Sequence, residues 1–217
     1  VTLKEQVLEL KQKCYDCKEC PLGRKLVDNL DPHVFAGGYV KSDVFFVGEA
    51  AGKNEQLLKR PFVGRAGQFF DNRILGVAGI ERRNVFTTNA VNCRPNEKNR
   101  TPLPAEVEIC RHHLDAQICL LEPKLLVTLG NVPLFSVCET KGITKRRGKL
   151  VWSREWSNGK RIPTFPIFHP SYCLRGSGLT EMKADALMIG QLYKKMLDGN
   201  DLSEEIGSET CLEPSNI

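Results

Sequence analysis

The residues best equipped for chemistry in this chain are its cysteines. There are nine, an odd set in a chain whose N-terminus is charged and helix-patterned and does not resemble a leader. A disulfide framework is therefore not expected, and an intracellular, cytoplasmic setting is. Cys17-Lys18-Glu19-Cys20 is followed by Pro21-Leu22. Two thiolates at that spacing can reach one metal centre, although a redox pair would read the same way. A second chemical signal is the density of glycine in two loops, Gly48-Glu49-Ala50-Ala51-Gly52 and Pro61-Phe62-Val63-Gly64-Arg65-Ala66-Gly67. Such loops turn sharply and let a ligand approach the backbone. An ordinary βα turn would use the same glycines.

The elements that must position these residues follow from periodicity. Thr2 and Glu5 fit a capping box ahead of a helix with Leu3, Val7, Leu10 and Cys14 on one face, which makes Cys14 a core residue before a ligand. Residues 24–41 read as irregular, and His33 has no evident partner there. Apolar runs at 44–47, 84–88, 125–129 and 162–168 read as buried strands. A helix is expected over 68–75 and another over 104–121, the latter with Val107, Cys110, Leu114, Ile118 and Leu121 on one face. A last helix is expected over 180–197. Residues 151–152 and 162–168 flank a Ser157-Asn158-Gly159 turn and predict a hairpin. Strands alternating with helices imply an α/β three-layer sandwich around a central, mainly parallel sheet. The loops at Gly48, Asn89 and His169 would then leave one carboxyl edge, where such sheets bind ligands.

Length, at 217 residues, suits one domain over 1–197 followed by a flexible acidic tail over 198–217. That tail holds six acidic residues and no Lys or Arg. The body's 31 basic residues therefore face 20 acidic ones, a balance of +11 that suits a polyanion such as nucleic acid. No run approaches the roughly 20 apolar residues of a membrane helix.

Four blocks in order, GEAAG with PFVGRAG, TTNAVNCRP, NRTPLPAEVEIC and HPSYCLR, resemble the family-4 uracil-DNA glycosylases, the iron–sulfur members of the uracil-DNA glycosylase superfamily. The resemblance runs from Cys17 to Leu197. It implies a DNA-repair enzyme that flips uracil out of single- or double-stranded DNA and hydrolyses its N-glycosidic bond, leaving an abasic site. It also implies a structural [4Fe-4S] cluster on Cys17, Cys20, Cys93 and Cys110, with zinc the alternative that four cysteines also accept. Cys119, Cys138, Cys173 and Cys211 are left as buried or incidental.

Carried onto this sequence, the family's roles give Glu49 and His169 the catalysis. His169 would donate to uracil O2, and Glu49 would position water or stabilise the cationic sugar with the Gly48, Ala50 and Gly52 backbone beside it. Phe62 would stack on the base, Asn89 would read its edge, and Glu55 would crowd out the thymine methyl. Arg65, Arg94, Arg100, Arg147 and Arg175 are expected phosphate contacts, and Tyr172, Leu174 and Arg175 a wedge for the gap left by the flipped nucleotide. No lysine within these motifs is placed for a Schiff base, so strand cleavage is not expected.

Two departures stand out: Ala51 replaces the usual proline, and Gln56 replaces the usual acid, removing a charge near the pocket. A monomer is expected, with replication or repair proteins as partners beyond DNA. The rival reading is a catalytically weak or inactive DNA-binding accessory module, which would predict loss of Glu49, Asn89 or His169; all three are present.

Overall fold

The structure is a computed structural model and describes residues 1–206. A six-stranded sheet has the order β1-β3-β2-β4-β6-β5. Its four inner strands, β2 (Val44–Ala50), β3 (Phe86–Val91), β4 (Leu125–Leu129) and β6 (Pro163–Ile167), are mutually parallel. They are buried along almost their whole length, as continuous apolar runs covered on both faces should be. The short β1 (Gly37–Gly38) and β5 (Val151–Trp152) close the two edges antiparallel. The mainly parallel α/β architecture expected from the sequence is thus observed.

Helices fill the outer layers in two groups. In the first, α1 (Leu3–Asp16) packs on α5 (Pro104–Leu121), and α5 and α6 (Asn131–Cys138) pack on the sheet. Thr2 and Glu5 form the expected capping box. Between β2 and β3 run α2 (Lys53–Leu58), α3 (Arg65–Phe69), a π-helical segment (Phe70–Leu75) and α4 (Gly76–Ala78). After β4 and α6 come α7 (Ile143–Arg146), then α8 (Pro170–Leu174) and α9 (Leu179–Leu197). The long α9 lies against the π-helical segment and α4, so close that a Cβ at Gly190 would be 2.5 Å from the Ala78 carbonyl oxygen. Phe45, Phe46, Phe70, Phe86 and Phe165 fill the core between sheet and helices, each contributing about 1.5–3 kcal/mol by burial.

Three details differ from the sequence reading. The strands at 44–47 and 84–88 run on to Ala50 and Val91, so Gly48, Glu49 and Asn89 sit inside strands and not in loops. The helix expected at 68–75 is α-helical only to Phe69 and π-helical beyond it. In the acidic segment from 198, residues 202–205 form a 3-10 turn whose Leu202 is buried under α9, with Lys195 bonded to Glu205. The rest of the expected tail, with Cys211, lies outside the described residues. No helix among the described residues is long and apolar enough to cross a membrane.

Candidate active site

At the carboxyl edge of the sheet opens a cleft of about 540 Å³, within the range of small-molecule sites. Its floor is set by strand register. Gly48 on β2 lies directly beside Asn89 on β3. A Cβ at Gly48 would stand 2.4 Å from the Asn89 Oδ1 and 2.6 Å from the Phe62 Cζ. Only glycine lets the amide and the ring close on one another at this point.

Phe62 reaches that position with φ of +56°, a conformation costing a non-glycine residue about 1–3 kcal/mol. Glu55 holds it there. Its carboxylate accepts from the amides of Val63 at 3.0 Å and Gly64 at 2.7 Å, and from Gly52 at 3.2 Å. Glu55 therefore ties the two glycine loops together besides lining the cleft. Behind the Phe62 ring stands Phe70, with centroids 5.1 Å apart.

His169 follows β6 and caps α8, where its Nδ1 accepts the Ser171 amide at 3.1 Å. That bond puts the ring proton of the neutral form on Nε2. Burial, and then the nearby charge of Arg175, push its pKa down to about 4, so the imidazole is neutral at physiological pH. Glu49 shifts the other way: burial raises its pKa, opposed by a hydrogen bond from Thr101. The sequence reading did not single out Thr101. Glu49, Ala50, Gly52, Glu55, Phe62, Asn89 and His169 all line the one cleft.

The basic residues divide. Arg65 and Arg175 are at the rim, together with Lys53, and the side chain of none of these three has an ion-pair or hydrogen-bond partner among the described residues. Arg100 also lines the cleft, but both its terminal nitrogens grip Glu106, at 2.8 and 2.6 Å. The expected phosphate contact Arg94 is corrected. It is 1% exposed and bonded to Asp28, Gln56, Asn99 and the Glu97 carbonyl, so it joins loops beneath the cleft and cannot reach DNA. Arg147 is corrected likewise: its guanidinium is spent on Asp185 and the Glu181 carbonyl. On α8, Tyr172 packs on Phe168 with ring centroids 4.7 Å apart, and Tyr172 and Leu174 stay exposed.

A second constellation lies behind the first. Cys17 and Cys20 after α1, Cys93 after β3 and Cys110 on α5 face one small cavity, and Cys14 faces it too. Cys14 is fully buried, as the sequence reading had it, but on the cavity wall. Burial and the neighbouring Cys20 and Cys17 push the Cys110 thiol up to about 12, and Cys93 is raised by burial and by Cys110. Thiolates so crowded away from water call for a cationic centre, and a ring of soft sulfur donors fits a metal cluster. Cys17 also has His112 and His113 near it, their ligand atoms all within 4.8 Å of one another. His33, without an evident partner in sequence, is buried with Nδ1 2.5 Å from Asp31 and Nε2 2.8 Å from the Cys17 carbonyl. It thereby braces the Cys17 loop.

The chain is similar to known proteins along most of its length. Residues 35–189 match the family model described as the uracil DNA glycosylase superfamily. A type-4 uracil-DNA glycosylase from Sulfurisphaera tokodaii is 37% identical over 180 residues, covering 80% of this chain and 78% of the relative. One from Thermotoga maritima is 38% identical over 175 residues, covering 79% and 85%. One from Archaeoglobus fulgidus is 33% identical over 198 residues, covering 88% and 95%.

Proposed function

This chain belongs to the uracil-DNA glycosylase superfamily, and from that premise we infer how its own residues remove uracil from DNA. The substrate is uracil-containing DNA, and the reaction is hydrolysis of the bond between uracil N1 and the deoxyribose C1′. The convergence of Glu49, Phe62, Asn89 and His169 on one cleft carries the reading.

The flipped uracil stacks on Phe62, a contact worth roughly 1–3 kcal/mol for a base on an aromatic ring. The Asn89 amide meets its edge, Nδ2–H donating to O4 and Oδ1 accepting from N3–H. Cytosine would oppose donor to donor there and leave buried groups unsatisfied. Glu55, pinned by three backbone amides, keeps both loops at the distance a pyrimidine needs, and the thymine methyl has to displace that clamp. As the C1′–N1 bond breaks, its electron pair goes to the base. Negative charge grows on O2, where the Nε2–H of neutral His169 donates. Positive character grows on the sugar, where the Glu49 carboxylate stabilises it and takes a proton from the water that adds to C1′. Both charges are met by groups set in place beforehand, which is where rate is gained.

We propose further that Cys17, Cys20, Cys93 and Cys110 hold a [4Fe-4S] cluster, with Cys14 a buried neighbour and not a ligand. Four thiolates suit such a cluster. Its chemistry is structural: it would fasten the N-terminal helix and α5 to the strand end that bears Asn89.

The test uses matched oligonucleotides carrying one uracil or one thymine, followed by alkali to cut abasic sites. Cleavage with uracil only, and only after alkali, is expected, with His169→Ala slowed about 10²–10³-fold and Asn89→Asp gaining cytosine excision. Intact, DNA-binding protein that cuts neither would overturn the reading.

A further inference from the structure

Beyond the cleft a second, shallower groove of about 210 Å³ runs along α3 and the π-helical segment. Arg65, Gln68, Phe69, Asn72 and Arg73 line it from one side, and Leu174 of α8 closes it from the other. The five recur at the spacing of one helix face. Arg73, like Arg65, is exposed, and its side chain has no ion-pair or hydrogen-bond partner among the described residues. The acid in this stretch, Asp71, turns to Arg82 at 3.7 Å and does not line the groove. Two free guanidinium groups and two carboxamides, with no carboxylate among them, suit a phosphodiester backbone. The π-helical turns that present Asn72 and Arg73 are rare and recur at functional sites.

We propose that this groove holds the strand opposite the uracil in duplex DNA, an inference that rests on the function proposed above. The uracil-bearing strand has to cross the mouth of the cleft, where Lys53, Arg65 and Arg175 form the rim. A rise of about 1.5 Å per residue carries Arg73 on the order of 10 Å past Arg65. The grooves of B-DNA are roughly 6 and 12 Å wide, so the second backbone of a duplex falls within that reach. Leu174 borders the groove, and Ser171 on the same short helix and Arg175 just past its end line the cleft. A side chain in that place parts the two strands as the nucleotide leaves the stack.

The test measures anisotropy with a duplex carrying 2′-fluoro-2′-deoxyuridine opposite guanine, and with its uracil-analogue strand alone, over 50–200 mM KCl. Arg73→Gln is expected to weaken duplex binding about 5–10-fold and to lower the duplex salt slope by about one phosphate's worth. The ratio of duplex to single-strand affinity falls with it, and Arg73→Lys restores the slope. Asn72→Ala weakens duplex binding without changing the slope. Equal losses on duplex and single strand, or none on the duplex, would overturn the inference. Uracil excision is scored separately: if the unmodified protein excised none while the duplex-selective loss persisted, the functional reading would fail and the groove would stand.

Discussion

Replacing Gly48 by alanine should disable the cleft without unfolding the protein. The new Cβ would lie 2.4 Å from the Asn89 Oδ1 and 2.6 Å from the Phe62 Cζ, whereas non-bonded carbon contacts settle at about 3.5–4.0 Å. Asn89 or Phe62 must therefore retreat by about 1 Å, and both are buried in packed surroundings. Misplacing a positioning group by that much costs about 10²-fold in rate, or ~2.7 kcal/mol at 1.36 kcal/mol per tenfold. Overpacking costs a further 1–3 kcal/mol or so of stability, which in a chain of this size lowers Tm by about 2–4 °C per kcal/mol. Single-turnover excision from a single-stranded uracil oligonucleotide reads the first quantity and thermal unfolding the second. Gly76→Ala serves as the control, since that glycine is exposed and helical at φ −60° and its nearest neighbour would be the Asp71 carbonyl oxygen at 3.4 Å. A Gly48→Ala rate within threefold of the unmodified protein would refute the claim that strand register and absent Cβ set the base-reading geometry.

Arg94→Met should cost about 3 kcal/mol in urea unfolding, the low end for a broken buried pair because Asp28 is partly exposed. The salt slope of DNA binding should not change, and a stable variant with a reduced slope would return Arg94 to the phosphate contacts. The acid limb of kcat/KM should fall above the ordinary carboxylate range. It reports protonation of Glu49, raised by burial, because His169 stays neutral down to about pH 4. Removing the hydroxyl that favours the charged form, with Thr101→Val, should move that limb to higher pH, and an unmoved limb would separate Glu49 from the profile.

Much of this architecture could be read from the chain because it is local. Apolar runs give the inner strands, the Thr2 and Glu5 spacing gives a cap, and the blocks around Glu49, Asn89 and His169 give residues that the fold brings to one edge. What could not be read is which groups are already taken, because charge pairing joins positions far apart in sequence. Arg94 and Arg65 look alike in a basic loop. Arg94 meets Asp28, 66 residues away, and Arg65 meets no acid among the described residues. Arg147 finds Asp185 across 38 residues. The groove holding Arg73 is equally silent in sequence, since nothing near Asn72 tells that α8 will bring Leu174 to face it.

Gln56 makes the same point about the cleft itself. Read from the family pattern, its amide removes an acid from the pocket. In the structure it is 1% exposed and points away from the cleft, donating Nε2–H to the carbonyls of Val27, Leu30 and Asp31 and accepting from Arg94 at 2.8 Å. The negative charge that balances Arg94 comes from Asp28, on the very loop Gln56 holds. A glutamate at 56 would face three carbonyl oxygens with no proton to give, so this position suits an amide while Asp28 supplies the charge beside the guanidinium. The substitution leaves the cleft's charge to Glu49 and Glu55, and it welds Arg94, next to Cys93, to Gln56, next to Glu55.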